Sequence, residues 1–283
     1  MTNASPAAAR PSIVALILAM LMISGCATTQ QPPDQNQFTS IAQAHPDVSP
    51  LTNAMAERDR ALESMQTNAV MEFTNGADHV KAREEIIVRR PSSLRVEAMS
   101  PFGVALIVAA QESRLQIFEP SKNTLLRGTA DAATLARFAR IPMAPRDAVG
   151  LLMGIVPEAQ KIAAPNSVTN DGDVTMLGYD LPDHSRRELG FQNSELVMVR
   201  QKDATGSVSL EIRYTDYHDI GGVMFAYHVE ANFPAVETHV SFIYKRPIVN
   251  GKIPNSVFIL TPGVDAKQID IGMMNRFKVG RDA

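Results

Sequence analysis

The chain has 283 residues, 27 Lys and Arg against 30 Asp and Glu, a net charge of -3 and a single cysteine. That balance excludes the basic footprint of a nucleic-acid binder. One cysteine also excludes an internal disulfide framework, so a core of this size must be held by packing alone.

The first element is a leader. Arg10 is the lone charge in residues 1–25, and residues 12–23 read S-I-V-A-L-I-L-A-M-L-M-I. This is a positively charged n-region followed by an apolar h-region. A membrane-spanning helix wants roughly 20 apolar residues, so the shorter run predicts removal rather than permanent insertion. Loss of Arg10 takes the net charge from -3 to -4. Ile23-Ser24-Gly25-Cys26 closes the run and resembles the bacterial lipobox. The resemblance implies diacylglyceryl transfer to the Cys26 sulfur and cleavage just before it, making the thiol an anchor. A secretory signal with an incidental cysteine is the competing reading. Three acyl chains, at ~0.8 kcal/mol per buried methylene, would each add roughly 10 kcal/mol of membrane affinity. Ala27 stands where an Asp would imply retention at the inner membrane, so the expected address is the periplasmic face of the outer membrane of a Gram-negative bacterium.

Residues 27–50 are polar and proline-punctuated, T-T-Q-Q-P-P-D-Q-N-Q in character, and read as a tether with a reach of roughly 25 to 30 Å. The expected division is therefore a signal peptide at 1–25, the lipidated cysteine and tether at 26–50, and one domain at 51–283. Good helix formers fill residues 51–66, with Leu51, Met55, Leu62 and Met65 as apolar contacts, and predict a leading helix.

After it the hydrophobic period changes to two. Leu94, Val96 and Ala98 alternate with Arg95 and Glu97; Val208, Leu210, Ile212 and Tyr214 alternate with Ser209, Glu211 and Arg213. These are half-buried antiparallel strands. Similar runs fall at 69–74, 85–89, 104–110, 115–119, 124–127, 196–201, 225–230 and 239–245. Their close spacing predicts a sheet or barrel of consecutive hairpins. One interruption breaks the meander. D-A-A-T-L-A-R-F-A-R at 131–140 opens on a capping-type Asp and places Leu135 and Phe138 on one face. Pro145 starts a second helix that carries Val149, Leu152 and Met153 and stops at Gly154 and Pro157. Two short amphipathic helices inside a β-meander predict a cover over one sheet face.

The catalytic inventory is thin: there is no Gly-x-Ser-x-Gly elbow, phosphate-binding glycine loop or His-Glu-x-x-His run. Neither a cofactor nor a metal is expected, and the chain does not read as an enzyme. Asp216, His218 and Asp219, in D-Y-H-D, form the nearest polar cluster, and adjacency on one turn or strand end suits a solvated turn better than a metal site. Arg89, Arg90, Arg186 and Arg187 read as solvated strand ends. The 14 methionines are core filler or an adaptable apolar lining.

Ser100-Pro101-Phe102-Gly103 separates two strands, and Pro-Phe-Gly is turn chemistry. Phe102 either folds back into the core or protrudes as an apolar finger able to enter lipid for a gain of roughly 1.5 to 3 kcal/mol. Three blocks in order, L-R-V-E-A-M-S-P-F-G-V-A-L (94–106), L-A-R-F-A-R-I-P-M-A-P (135–145) and L-L-M-G-I-V-P (151–157), resemble the LolA/LolB lipoprotein-localisation family, LolB and its lipoprotein relatives in particular. The likeness is good over residues 85–157, about a quarter of the chain. It implies a mainly β fold: an unclosed antiparallel β-barrel, apolar inside, with a leading helix and a two-helix lid. It also implies a protein that takes acylated lipoproteins from a LolA-like periplasmic carrier and delivers them to the outer membrane. Pro101, Phe102 and Gly103 then correspond to the family's protruding turn, with Phe102 where the family has Leu. Val96, Leu135, Phe138, Leu152, Leu210 and Phe242 are the candidates for cavity or lid, and the expected state is a monomer. A structural or envelope-assembly lipoprotein with the same fold, binding another lipid or a protein, is the alternative. Its barrel would be filled with large side chains, whereas a hydrolase would show convergent polar groups.

Overall fold

The period-two runs become one antiparallel sheet in the computed structural model, which describes residues 47–139 and 143–272, with the side chains of residues 136–139 and 160 excepted. The expected leader, Cys26 and the expected tether up to residue 46 lie outside the described residues. Helix α1 (Ser49–Ala61) leads into a first meander of β1 (Ser64–Asn75), β2 (Asp78–Arg89), β3 (Ser93–Ser100), β4 (Gly103–Gln111), β5 (Arg114–Glu119) and β6 (Thr124–Thr129). Helices α2 (Ala132–Ala139) and α3 (Pro145–Met153) follow. A second meander then runs through β7 (Ser167–Asp171), β8 (Val174–Asp180), β9 (Arg186–Gln192), β10 (Glu195–Lys202), β11 (Val208–Ile220), β12 (Val223–Phe233) and β13 (Thr238–Val249), and β14 (Lys267–Asp270) closes the described chain.

The two meanders fuse where β1 pairs with β13, Ala69 opposite Tyr244 and Phe73 opposite Val240. The 14 strands form a single sheet with β14 and β7 at its edges, and those edges do not pair, so the barrel is unclosed. Every pairing is antiparallel except β14 on β6. This is the mainly β half-barrel with a leading helix and a helical cover that the family resemblance implies.

Alternation decides which face is inner. On β2, Val80, Ala82, Glu84, Ile86 and Val88 share one face, and His79, Lys81, Arg83 and Glu85 the other. Half of the inner face is a solid core: Tyr214, Tyr244, Phe191, Phe225, Leu62 and Met65 are fully buried. The outer face carries charge in cross-strand register. Arg200 on β10 lies opposite Glu188 on β9 and Glu211 on β11, within 3.5 and 2.8 Å of them respectively. Opposite charges facing each other across strands stabilise the sheet.

Three local expectations need correction. The leading helix ends at Ala61, not near residue 66, because Leu62 turns extended and Ser64 opens β1. Leu62 and Met65 are core contacts as expected, but the pairing of Met65 with Val88 and Val249 claims them for the sheet. The helix also begins at Ser49, inside the stretch read as tether. Arg89 and Arg90 are not merely solvated. Arg89 donates to the Ile253 carbonyl at 2.7 Å and stacks 5.0 Å from the Phe258 ring centroid, and Arg90 pairs with the fully buried Asp59 of α1 at 2.7 Å. Arg186 likewise pairs with Asp180 and bonds Ser167.

Candidate functional site

The other half of the inner face is hollow. A cavity of about 560 Å³ lies between strands β1–β4, β12 and β13 on one side and the two-helix cover on the other. Its wall is aliphatic and aromatic, with Met71 and Phe73 from β1, Val96 and Ala98 from β3, Leu106 and Val108 from β4, Phe233 from β12, and Val240 and Phe242 from β13. Leu135 of α2, Met143, and Ala148, Leu151 and Leu152 of α3 form the roof. Asp78, His79 and the half-exposed Val80 mark where it opens, next to the β1–β2 turn.

The roof is held by local chemistry. The Asp131 carboxylate accepts the Thr134 N–H at 2.7 Å and starts α2. That hydrogen bond holds the Asp131 pKa below the ordinary aspartate value. Helix α3 starts with Pro145 in its first turn and ends at Gly154, whose φ of +61° places it in the left-handed region that favours glycine. A methyl on Gly150 would lie 2.8 Å from the Pro157 ring, so α3 and the chain leaving it are in close contact. From α1, Arg58 donates to the Gly154 carbonyl at 2.7 Å. From the sheet, Tyr244 donates to the Leu152 carbonyl at 2.8 Å.

One acid interrupts the apolar wall. Glu84 is 6 % exposed and lines the cavity. Its strand neighbours are Ala69 on β1 and Ala98 on β3, neither of which brings a donor. Burial pushes its carboxyl up to about 7, since an apolar surrounding penalises the charged form.

Val96, Leu135, Leu152 and Phe242, candidates from the sequence, all line this cavity. Leu210 does not: it lies half-buried on β11, packed against the filled half of the core, because the cavity ends at β12. The side chain of Phe138 lies outside the described residues. Sequence reasoning missed Glu84. The signal was present in V-K-A-R-E-E-I-I-V, where Glu84 falls in phase with Val80, Ala82, Ile86 and Val88, but the strand was expected to begin only at Glu85.

Pro101, Phe102 and Gly103 form the exposed β3–β4 turn. The Phe102 ring is 100 % exposed, which removes the folded-back alternative. Ser100 Oγ accepts the Phe102 N–H at 3.2 Å and donates to the Gly103 carbonyl at 2.9 Å, and Gly103 takes a φ of +116° open to glycine. Antiparallel order puts this turn at the same end of the sheet as the β1–β2 and β12–β13 turns, where the cavity opens and where Val80 and Val236 are each 48 % exposed.

The D-Y-H-D stretch is not a turn but the last part of β11, in register with β12. Asp216 adopts a left-handed φ of +57°, and its carboxylate lies 2.9 Å from His218 Nε2. Among the described residues no three His, Cys, Asp or Glu side chains gather into a metal-binding group.

An open antiparallel sheet hollowed under a two-helix roof defines the class: this is a LolA/LolB-like half-barrel. No protein-family model matches the chain, and no curated protein matches it by sequence. Solved structures do share the fold. A LolA superfamily protein of Nitrosomonas europaea superposes with a TM-score of 0.53 at 12% identity, over 74% of this chain and 97% of that one. A putative outer membrane lipoprotein-sorting protein domain from Vibrio parahaemolyticus gives 0.51 at 10% identity, over 74% and 94%. A DUF1329 family protein from Desulfovibrio piger gives 0.53 at 9% identity, over 75% and 97%. At these identities the likeness is one of fold.

Proposed function

We propose that this protein is a lipid-anchored binder that holds acyl chains in its half-barrel, receives lipoproteins from a soluble periplasmic carrier and releases them into the outer membrane, with Cys26 as the anchor. The observation that carries the reading is the cavity: about 560 Å³ of space walled by apolar side chains and roofed by helices. That volume lies within the range of small-molecule sites, roughly 300 to 1,000 Å³. A filled barrel, as a purely structural lipoprotein needs, has no such space. A hydrolase needs converging polar groups; among the described lining residues Glu84 is the one acid away from the mouth, where Asp78 and His79 lie. Such a lining favours binding, because an apolar wall substitutes for lipid around an acyl chain.

The exposed Phe102 supports delivery at a membrane. It stands at the end of the sheet where the cavity opens, so a chain leaving the cavity emerges beside a residue suited to the bilayer. The Vibrio domain is described as lipoprotein-sorting, and the same cargo class is the reading adopted for this chain.

Transfer tests the reading. Residues 45–283, which hold every described element in one compact unit, are mixed with a periplasmic carrier loaded with radiolabelled acylated lipoprotein. Stoichiometric passage of cargo to the fragment supports an acyl-chain receptor. A folded fragment that takes up neither lipoprotein nor a simple long-chain lipid overturns it.

A further inference from the structure

A carboxyl group is a costly thing to place in an apolar cavity unless it meets a partner. Glu84 has none among the described residues. Both strand neighbours are alanines, and the next residues along the row are Tyr244 on β13 and Leu106 on β4. Tyr244 has committed its hydroxyl hydrogen to the Leu152 carbonyl. From above, α3 presents Ala148, Leu151 and Leu152, and its charged residues Arg146 and Asp147 are exposed. The Glu84 oxygens are nevertheless not sealed inside the wall: among the described residues they do not count with the fully enclosed side-chain atoms that lack a hydrogen bond. Ala98 lines the cavity beside Glu84, so the short side chain on that side leaves the carboxyl facing open space.

We propose that Glu84 sets the ligand preference of the cavity: it binds a hydrogen-bond donor, a hydroxyl, amide N–H or ammonium, carried on an otherwise apolar chain, and it disfavours a chain ending in a carboxylate. The inference rests on the lipid-binding reading and adds a chemical class to it. A bound donor satisfies the carboxyl at depth, which water cannot do once an acyl chain fills the mouth. A carboxylate head brings a further negative charge to a site whose described lining residues include no Lys or Arg, and like charges at close range in a low-dielectric pocket disfavour each other. The neutral form of Glu84 could still donate to a carboxylate, so discrimination is strongest above the pH at which the acid is ionised.

Competition by tetradecylamine, tetradecanol and tetradecanoate, each below its micellar concentration, against an apolar fluorescent dye bound to residues 45–283 tests the proposal at pH 8.5. Native protein is expected to hold the amine at least about tenfold more tightly than the acid, the scale of one charge-assisted hydrogen bond, with the alcohol between them. Glu84→Gln, of nearly the same shape, should bring amine and acid to within about twofold. Glu84→Leu serves as a second variant without any polar group, and circular dichroism and thermal melting verify that each is folded. Equal affinities for the three probes in the native protein overturn the role of Glu84 while leaving lipid binding intact. Undiminished discrimination in folded Glu84→Gln or Glu84→Leu does the same. Failure of all three probes to displace or replace the dye overturns this inference and the lipid-binding reading together.

Discussion

Tyr244 on β13 donates its hydroxyl hydrogen to the main-chain carbonyl of Leu152 in α3, at 2.8 Å and out of contact with water. This bond couples the roof to the wall. Leu152 lies in the last turn of α3, where carbonyls have no partner within the helix, and the tyrosine supplies one from the sheet. Tyr244→Phe keeps the ring packed against Phe225 and Phe242 but leaves that carbonyl unpaired. The expected loss is about 1 to 3 kcal/mol of stability by denaturant titration. Because the lost contact belongs to the roof, the variant should also show faster hydrogen exchange in α3 than in β1 or β2. Unchanged exchange in α3 would sink the coupling.

The sequence made the first meander legible because its strands alternate cleanly, and the cover because its helices carry proline and aspartate at their starts. It left β7, β8 and β9 unread for a physical reason. β8 carries Leu177-Gly178-Tyr179 and β9 carries Leu189-Gly190-Phe191, with Leu177 paired to Leu189, Gly178 to Glu188 and Gly190 to Met176. Leu and the aromatic ring face the core in each strand, but glycine between them lowers strand propensity. The glycines are explained only by tertiary contact: a methyl on Gly178 would strike Ser167 and Arg186, and one on Gly190 would lie 2.8 Å from the Met176 sulfur. The segment beyond β13 was equally opaque. It lies over the outer face of the first meander through Arg89, Arg95 and Gln116, which bond the carbonyls of Ile253, Val257 and Leu260, and no local period announces such a strap. For the cavity, period-two reasoning finds wall residues such as Val96 and Phe242. It does not show where a shared inner face is hollow and where it is filled, which is why Leu210 and Phe242 looked alike.

Glu84 should make stability depend on pH in a specific direction. Its carboxyl is pushed up to about 7 by burial, against about 4.3 for an unfolded glutamate. Between those values the folded chain holds a proton that the unfolded chain releases, so stability is fully present below about pH 4, falls as pH rises, and has lost this contribution once pH passes about 8. The scale is at most roughly 4 kcal/mol. Glu84→Gln removes the titration. It is expected to be more stable than the native protein at pH 8 and close to it at pH 4.5, as read from urea midpoints at the two pH values. A native-minus-variant difference that does not change with pH contradicts the assignment.

Arg90 should be indispensable to the packing of α1. It pairs with Asp59, which is fully buried, and also donates to main-chain carbonyls of Asp59 and Leu62. Burial raises the Asp59 pKa and Arg90 opposes that rise. Arg90→Ala leaves a buried carboxylate without its counter-ion, and the expected cost is about 3 to 5 kcal/mol at pH 7. Unopposed burial then raises the Asp59 pKa further, so the cost should shrink as pH falls and the acid takes up a proton. Adding Asp59→Asn to the variant should recover part of the loss at pH 7 and leave the main-chain bonds of Arg90 unreplaced. A double variant no more stable than Arg90→Ala at pH 7 would show that the charge pair is not the source.

Phe102 separates folding from membrane contact. Its ring touches solvent on all sides, so Phe102→Glu should change stability by no more than about 0.5 kcal/mol, the range of an ordinary surface substitution. Membrane association is a different matter. Withdrawing a phenyl ring from lipid forfeits roughly 1.5 to 3 kcal/mol, a ten- to hundredfold fall in partitioning at about 1.4 kcal/mol per tenfold. Flotation of residues 45–283 with vesicles of zwitterionic lipid measures this without any contribution from residues 1–44. Phe102→Leu should retain most of the binding, because an aliphatic side chain buries comparable apolar area. In carrier-loaded transfer assays the two substitutions should diverge at one step: both accept cargo into the cavity, whose lining does not include residue 102, while only Phe102→Leu passes it on to vesicles. Equal delivery by Phe102→Glu would leave the turn as a surface loop and place the site of membrane contact elsewhere on the sheet end.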